Sequence, residues 1–143
     1  MRVDFYQLSR DPAETAVALI AQKVVESGQR LLVVAGDPLL HARISDALWR
    51  QPDTFLANGP AGSGHDARQP ILLSDSLDAA NGATFLALAD GQWREGDGFE
   101  RVFLFFDDST IAASQELWRE LGSREGFERN FWKQDGGKWV KAG

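Results

Sequence analysis

Two uninterrupted apolar runs constrain the fold of this chain most strongly. They are residues 31–35 (LLVVA) and residues 102–106 (VFLFF). Short runs of this kind are typical of strands covered on both faces, as in parallel sheets that lie between layers of helices. The two runs therefore predict an α/β domain built around a largely parallel sheet.

The segments around the first run predict alternating strands and helices. Residues 3–8 read as a strand, and a helix follows with Asp11 as its cap, Pro12 as its first residue and Gly28 at its end. Asp37 and the proline after it open a second helix. This opening predicts a parallel pair of strands, 3–8 and 31–35, joined by a right-handed crossover.

The second half of the chain continues the pattern. Residues 51–69 read as an irregular connection, 71–73 and 84–88 as strands, and 109–122 as a third helix capped by Asp107 or Asp108. Residues 127–134 and 138–141 predict a β-hairpin with a Gly136-Gly137 turn. The prediction is one domain, residues 1–143: a three-layer α/β/α Rossmann-like fold with a mostly parallel, mixed sheet and a C-terminal β-hairpin.

Composition narrows the classes of function. The chain has no Cys, two His and a net charge of −6. These values exclude disulfides and thiol catalysis and argue against broad nucleic-acid binding. No apolar run has the ~18 residues of a bilayer span, and no signal peptide is visible. We expect a cytoplasmic protein that binds no membrane. Residues 118–143 are locally basic, with six of the 15 Lys and Arg residues and four of the 21 acidic ones.

Three carboxylates provide the main candidate for catalysis. Asp37, Asp107 and Asp108 follow predicted parallel strands, where α/β sheets bind ligands. Together they would suit a Mg²⁺-dependent phosphoryl-transfer or receiver-like domain. The simpler interpretation is that each caps a helix. The glycines match no phosphate-binding loop, and the two His do not make a zinc site. We therefore expect no catalytic residues, cofactor or metal, and keep the Mg²⁺ site as the alternative.

Five tryptophans point instead to binding, because Trp is enriched at binding hot spots. Trp49 and Phe55 flank a polar loop and would form either an exposed patch or a lid on the core. Trp118 is expected to face the core from the third helix. Trp132 and Trp139 are expected to face each other across the hairpin, where such pairs stabilise the sheet, or to lie near it. Direct DNA binding through the basic end is a further possibility, which the overall charge disfavours.

A series of short motifs resembles a known family. In order they are Phe5-Tyr6-Gln7-Leu8, Gly28-Gln29-Arg30, Ala47-Leu48-Trp49 with Pro52 and Phe55, Pro70-Ile71-Leu72-Leu73, Phe99-Glu100-Arg101-Val102, Trp118-Arg119, and Phe131-Trp132-Lys133-Gln134 with Lys138-Trp139. Their order and spacing resemble the chi subunit of bacterial DNA polymerase III over essentially the whole chain.

The resemblance implies a non-catalytic accessory subunit of the polymerase III clamp-loader assembly. It implies binding of the acidic, Phe-ended C-terminal tail of the single-stranded-DNA-binding protein, at Phe106, Gln115, Trp118 and Arg119. It also implies that a second surface at Trp49 and Phe55 binds the psi subunit or a helicase. The chain departs from the family at Gln115, where family members often carry Arg. Either Arg119 or a hairpin Lys supplies the missing charge, or tail affinity is reduced.

Overall fold

The computed structural model describes residues 1–9, 11–52, 55–135 and 138–142, which form one sheet flanked by helices. The strands are β1 (Arg2–Gln7), β2 (Leu31–Val34), β3 (Asn58–Pro60), β4 (Ile71–Ser74), β5 (Phe85–Leu88), β6 (Arg101–Phe106), β7 (Glu128–Asp135) and β8 (Lys138–Lys141). The helices are α1 (Ala13–Glu26), α2 (Pro38–Trp49) and α3 (Ile111–Ser123), with a 3₁₀ turn at Asp66–Arg68.

The sheet is mixed, as predicted, and its strand order is β3-β4-β2-β5-β6-β1-β7-β8. All neighbouring strands run parallel except β7 and β8, which form the antiparallel hairpin. As expected, β1 and β2 run parallel, but they are not neighbours, because β5 and β6 lie between them. Apolar patterns identify which segments form strands. They do not fix the order of the strands in the sheet, because fully apolar strands offer similar edges to their neighbours.

Two apolar layers bury the two faces of the sheet. The helices α1 and α2 pack together on one face, over a cluster that includes Val33, Phe103 and Phe105. The helix α3 covers the other face, over Phe5 and Phe106. Successive residues of β6 alternate between the two clusters, because side chains along a strand point to opposite faces. The predicted three-layer α/β/α arrangement is confirmed.

The helix starts differ in part from the sequence expectation. As predicted, Asp37 caps α2, where its Oδ1 accepts a hydrogen bond from the Leu39 backbone N–H at 2.9 Å. Asp11 does not cap α1; Pro12 occupies the cap position, and the Asp11 carboxylate accepts a bond from Gln134 Nε2 at 2.8 Å. Likewise neither Asp107 nor Asp108 caps α3, which follows Thr110. For Asp11, the hydrogen bond from Gln134 on β7 replaces the helix-capping role that its local sequence favoured.

The segment 51–69 contains an edge strand, although its composition predicted an irregular connection. Within it, β3 consists of Asn58, Gly59 and Pro60, residue types that are rare in strands. The Gln69 side chain lies close against Gly59, where a Cβ would be 2.7 Å from Gln69 Nε2. Proline is tolerated here because β3 is the outermost strand. The predicted Gly136-Gly137 turn lies outside the described residues.

Candidate functional site

A cavity of ≈430 Å³ opens between α3 and the C-terminal hairpin. Its lining residues are Gln115, Trp118, Arg119, Phe131, Lys133 and Ala142. Three of the four residues expected at a peptide-binding site thus border one cavity. The other three lining residues come from the hairpin region.

Local geometry explains why these side chains meet. Positions 115, 118 and 119 are three and four residues apart on α3, so they share one side of the helix. On β7, Phe131 and Lys133 alternate with inward residues of the opposite face and both point towards α3. Ala142 joins them because its backbone N–H donates to the Phe131 carbonyl at 2.7 Å.

Trp118 forms the apolar wall of the cavity. Its ring makes edge contacts with Phe5, at 5.2 Å between centroids, and with Phe131, at 5.8 Å. The Arg129 guanidinium lies 4.3 Å from the Trp118 ring centroid and donates a 2.6 Å bond to the Trp118 carbonyl. Trp118 therefore stays half-buried rather than fully in the core. Contacts on several sides hold its ring in one orientation.

Phe106 does not line the cavity but lies buried behind Phe131, which does. It is 1% exposed and packs against Phe131, with 5.6 Å between ring centroids. The residue that borders the cavity at this point is Phe131, which sequence reasoning placed in the hairpin but not in the site. The alternation of side chains along β7 shows which residues share a face with Phe131. It identifies Phe131 as a site residue only once the packing of β7 beside α3 is known.

The rim of the cavity is positively charged. Arg119 and Lys133 are both exposed, and neither forms an ion pair with another described side chain. Gln115, also exposed, contributes a neutral amide. An apolar slot with two free cations at its edge is suited to an aromatic group that carries a carboxylate.

Trp49 and Phe55 form a separate aromatic patch. Trp49 ends α2 and is 50% exposed, and Phe55 is 77% exposed. Their ring centroids are 5.2 Å apart. The lid interpretation is wrong, because both rings lie at the surface instead of covering the core. Exposed aromatic side chains in contact are typical of protein-binding surfaces.

The three candidate catalytic carboxylates border an acidic cleft of ≈760 Å³ at the carboxyl ends of the strands. Asp37 caps α2, and Asp107 Oδ1 accepts bonds from the Ser109 hydroxyl and backbone N–H, which lower the pKa of Asp107. Asp108 is exposed. Within the described residues, no three His, Asp or Glu side chains are grouped to hold a metal ion.

The same cleft includes a strong ion pair. Arg94 donates two 2.9 Å bonds to Asp90, and Asp90 Oδ2 also accepts from the Gly36 backbone N–H at 3.1 Å. Burial raises the pKa of Asp90, but these bonds and one from the Gln92 backbone outweigh it, so the pKa is lowered. The pair joins the ends of β2 and β5. An acidic lining of this kind repels phosphate groups.

The hairpin tryptophans do not face each other. Trp132 pairs in the ladder with Lys141, and Trp139 pairs with Gln134. Instead both rings pack on Tyr6, at centroid distances of 6.2 Å and 5.0 Å. Trp93 is partly buried and packs against the apolar cluster on the α3 face of the sheet. Among the described helices, none combines the length and apolar character needed to cross a membrane.

Comparison with known proteins connects the chain with a family. The model of the family described as "DNA polymerase III chi subunit, HolC" matches residues 1–128. No curated protein matches the chain. The family match covers β1 through α3 and stops at the first residue of β7. The α3 side of the cavity lies inside the matched part, and Phe131, Lys133 and Ala142 lie beyond it.

Proposed function

The chain belongs to the DNA polymerase III chi-subunit family, and we propose that it links the replicative assembly to the single-stranded-DNA-binding protein. In this proposal it is a non-catalytic accessory subunit of the clamp-loader assembly in the bacterial cytoplasm. It works by binding proteins, without a cofactor and without direct contact to nucleic acid. The observation that carries the proposal is the cavity between α3 and the hairpin.

The cavity has the properties that a Phe-ended acidic tail needs. Trp118 and Phe131 provide apolar walls for a terminal aromatic ring. Arg119 and Lys133 stand at the rim, where they would pair with the terminal carboxylate and the acidic side chains before it. Lys133 is then the hairpin Lys that supplies the charge missing at Gln115. The contact area is small, so we expect weak binding that decreases with salt.

The Trp49–Phe55 patch is proposed to bind a second partner, the psi subunit or a helicase. The patch begins at the end of α2, which packs on the opposite face of the sheet from α3. The two partners would therefore not compete for space. An adaptor requires two such independent surfaces, because it must hold one protein while engaging another.

Fluorescence anisotropy with a labelled acidic, Phe-ended peptide tests the proposal. At low salt we expect saturable binding that is lost when the terminal Phe is removed. Lys133→Ala and Arg119→Ala should each weaken binding by up to about fivefold, because an exposed ion pair contributes ~0.2–1 kcal/mol. The matched control is Lys23→Ala on α1, which removes an exposed cation from the opposite face of the sheet.

Two outcomes would contradict this proposal. One is binding that is indifferent to the terminal Phe. The other is an equal loss of affinity in Lys23→Ala and Lys133→Ala, which would indicate attraction by overall charge rather than by the cavity.

A further inference from the structure

A crevice lies where two neighbouring strands lead the chain to opposite faces of the sheet. The strands β1 and β6 pair in parallel, so both end at the same edge. After β1 the chain enters α1 on one face, and after β6 it enters α3 on the other. Open α/β sheets bind ligands at such a divergence, beyond the carboxyl ends of the strands. The cleft of ≈760 Å³ occupies this position, because the segments that follow both strands line it.

The floor of this cleft is apolar. Phe105, Leu40 and Leu8 line it, and each is at most 9% exposed. A floor of this kind favours contact with an aliphatic side chain or with the methylene stem of a long charged one. The cleft therefore offers a ligand more than electrostatic attraction.

Carboxylates surround the apolar floor. They belong to Asp11, Glu14, Asp37, Asp90, Asp107 and Asp108. Two of them are paired, because Arg43 lies 3.6 Å from Glu14 and Arg94 lies 2.9 Å from Asp90. The other four form no ion pair with another described side chain. Their uncompensated charge favours a cationic ligand.

The spread of the unpaired carboxylates indicates an extended ligand. Asp37 follows β2, Asp107 and Asp108 follow β6, and Asp11 follows β1. In the order β2-β5-β6-β1, neighbouring strands lie about 4.8 Å apart, so the ends of β2 and β1 are about 14 Å from each other. A single metal ion cannot reach across that distance. An extended peptide covers it with about five residues, at about 3.3 Å per residue.

We infer that the cleft binds an extended segment of a partner protein that is rich in lysine or arginine. The cationic groups of the segment meet the unpaired carboxylates, and an apolar side chain between them packs over Phe105. A linear polyamine supplies similar charges but no such side chain, so the apolar floor favours a peptide. The inference does not depend on the proposed function, because the cleft and the cavity beside α3 share no lining residue.

The test uses a labelled peptide of sequence Lys-Ala-Lys-Leu-Lys-Ala-Lys, followed by fluorescence anisotropy at low salt. We expect saturable binding that weakens several-fold when serine replaces the leucine of the peptide. Spermine, which carries as many amines as the peptide has lysines, should displace the peptide only at a several-fold higher concentration.

A charge-neutral variant tests the walls of the cleft. It combines Asp37→Asn, Asp107→Asn and Asp108→Asn, which remove charge but keep a side-chain acceptor, and Asn caps a helix as well as Asp does. This variant should bind the peptide at least about tenfold more weakly, because each exposed ion pair contributes up to about fivefold.

The matched control neutralises three exposed acids at the opposite edge of the sheet, where β6 and β7 begin. It combines Glu100→Gln, Glu125→Gln and Glu128→Gln and therefore changes the net charge by the same amount. It should bind the peptide as the unaltered protein does. Lys133→Ala, which alters the cavity beside α3, should also leave the affinity for this peptide unchanged.

Nuclear magnetic resonance locates the bound peptide without any substitution. The backbone amides of Ser9, Ala89 and Ser109, which lie at the ends of β1, β5 and β6, should shift on binding. Shifts confined to other parts of the protein, equal losses in the two triple variants, equal affinity for spermine, or no saturable binding would each overturn the inference. None of these results would affect the proposed function, which is tested with an acidic peptide at a different cavity.

Discussion

At the scale of single residues, a glycine makes the cavity wall possible. Gly122 lies inside α3, where glycine costs ~1 kcal/mol relative to alanine. A Cβ at this position would lie 2.5 Å from Cζ of Arg129. The space left by Gly122 allows the Arg129 guanidinium to lie against the Trp118 ring and bond to its carbonyl. Gly122 therefore lowers the stability of α3 but leaves room for the contact between Arg129 and Trp118.

We predict that Gly122→Ala weakens peptide binding without unfolding the protein. The methyl group would displace Arg129 from the partly buried Trp118 ring. The loss of a cation–π contact of ~0.5–1 kcal/mol should lower affinity roughly two- to fivefold. Anisotropy gives the affinity and thermal unfolding gives the stability. Unchanged affinity would mean that Arg129 does not position Trp118.

A second residue-scale prediction concerns alkaline pH. Burial, followed by the nearby Asp4 charge, raises the pKa of Tyr6 from its ordinary value of 10.0 to about 12. The unfolded state therefore loses its proton first as pH rises. We expect the free energy of unfolding to decrease between pH 10 and about 12, by up to ~3 kcal/mol.

Tyr6 is the single tyrosine of the chain, so tyrosinate absorbance follows this residue directly. In the Tyr6→Phe variant the corresponding part of the pH dependence should disappear. A midpoint near 10 in the folded protein would contradict the prediction.

At the scale of elements, a buried carboxylate joins three adjacent strands. Asp4 of β1 is fully buried. It accepts a 2.7 Å bond from Arg101 of β6 and a 3.2 Å bond from Trp132 of β7, with Arg2 3.3 Å away. The hairpin that completes the cavity is thus tied to the centre of the sheet by polar contacts as well as by backbone pairing.

Asp4→Ala should therefore destabilise the fold. Removing one partner of a buried ion pair costs ~3–5 kcal/mol, and we expect about 2–3 kcal/mol here because Arg101 is partly exposed and regains some hydration. Urea unfolding measures the change. Asp108→Ala is the control, because that carboxylate is exposed. A loss no larger than that of the control would show that Asp4 does not stabilise the strand junction.

At the scale of the whole molecule, the sheet separates the two proposed binding surfaces. The cavity lies on the α3 face, and the Trp49–Phe55 patch follows the helix layer of the opposite face. Changes at distant sites without shared contacts usually have additive effects. The architecture therefore allows each surface to change without loss of the other.

We predict that the double variant Trp49→Ala, Phe55→Ala keeps the peptide affinity of the unaltered protein. Its stability should also change little, because both rings are exposed. Binding to the second partner should decrease more than tenfold, as expected when hot-spot aromatic residues worth ~2 kcal/mol or more are removed. A parallel loss of peptide binding would show that the two surfaces are coupled.

Local sequence determined the elements of this protein and much of the site. The apolar runs at 31–35 and 102–106 became β2 and β6, the Asp37 cap formed, and Gly28 ends α1 with a φ of +83°. These features depend on neighbours within a few residues. The same holds for the shared helix side that carries Gln115, Trp118 and Arg119.

Tertiary structure decided everything that depends on distant partners. Asp11 bonds to Gln134 instead of capping α1, β5 and β6 separate β1 from β2, and Phe131 takes the place expected for Phe106. Pairing between strands follows from the packing of the whole sheet, because apolar strands present similar edges to one another. The cavity joins α3 to residues beyond β6, so only the completed fold brings its apolar walls and cationic rim together.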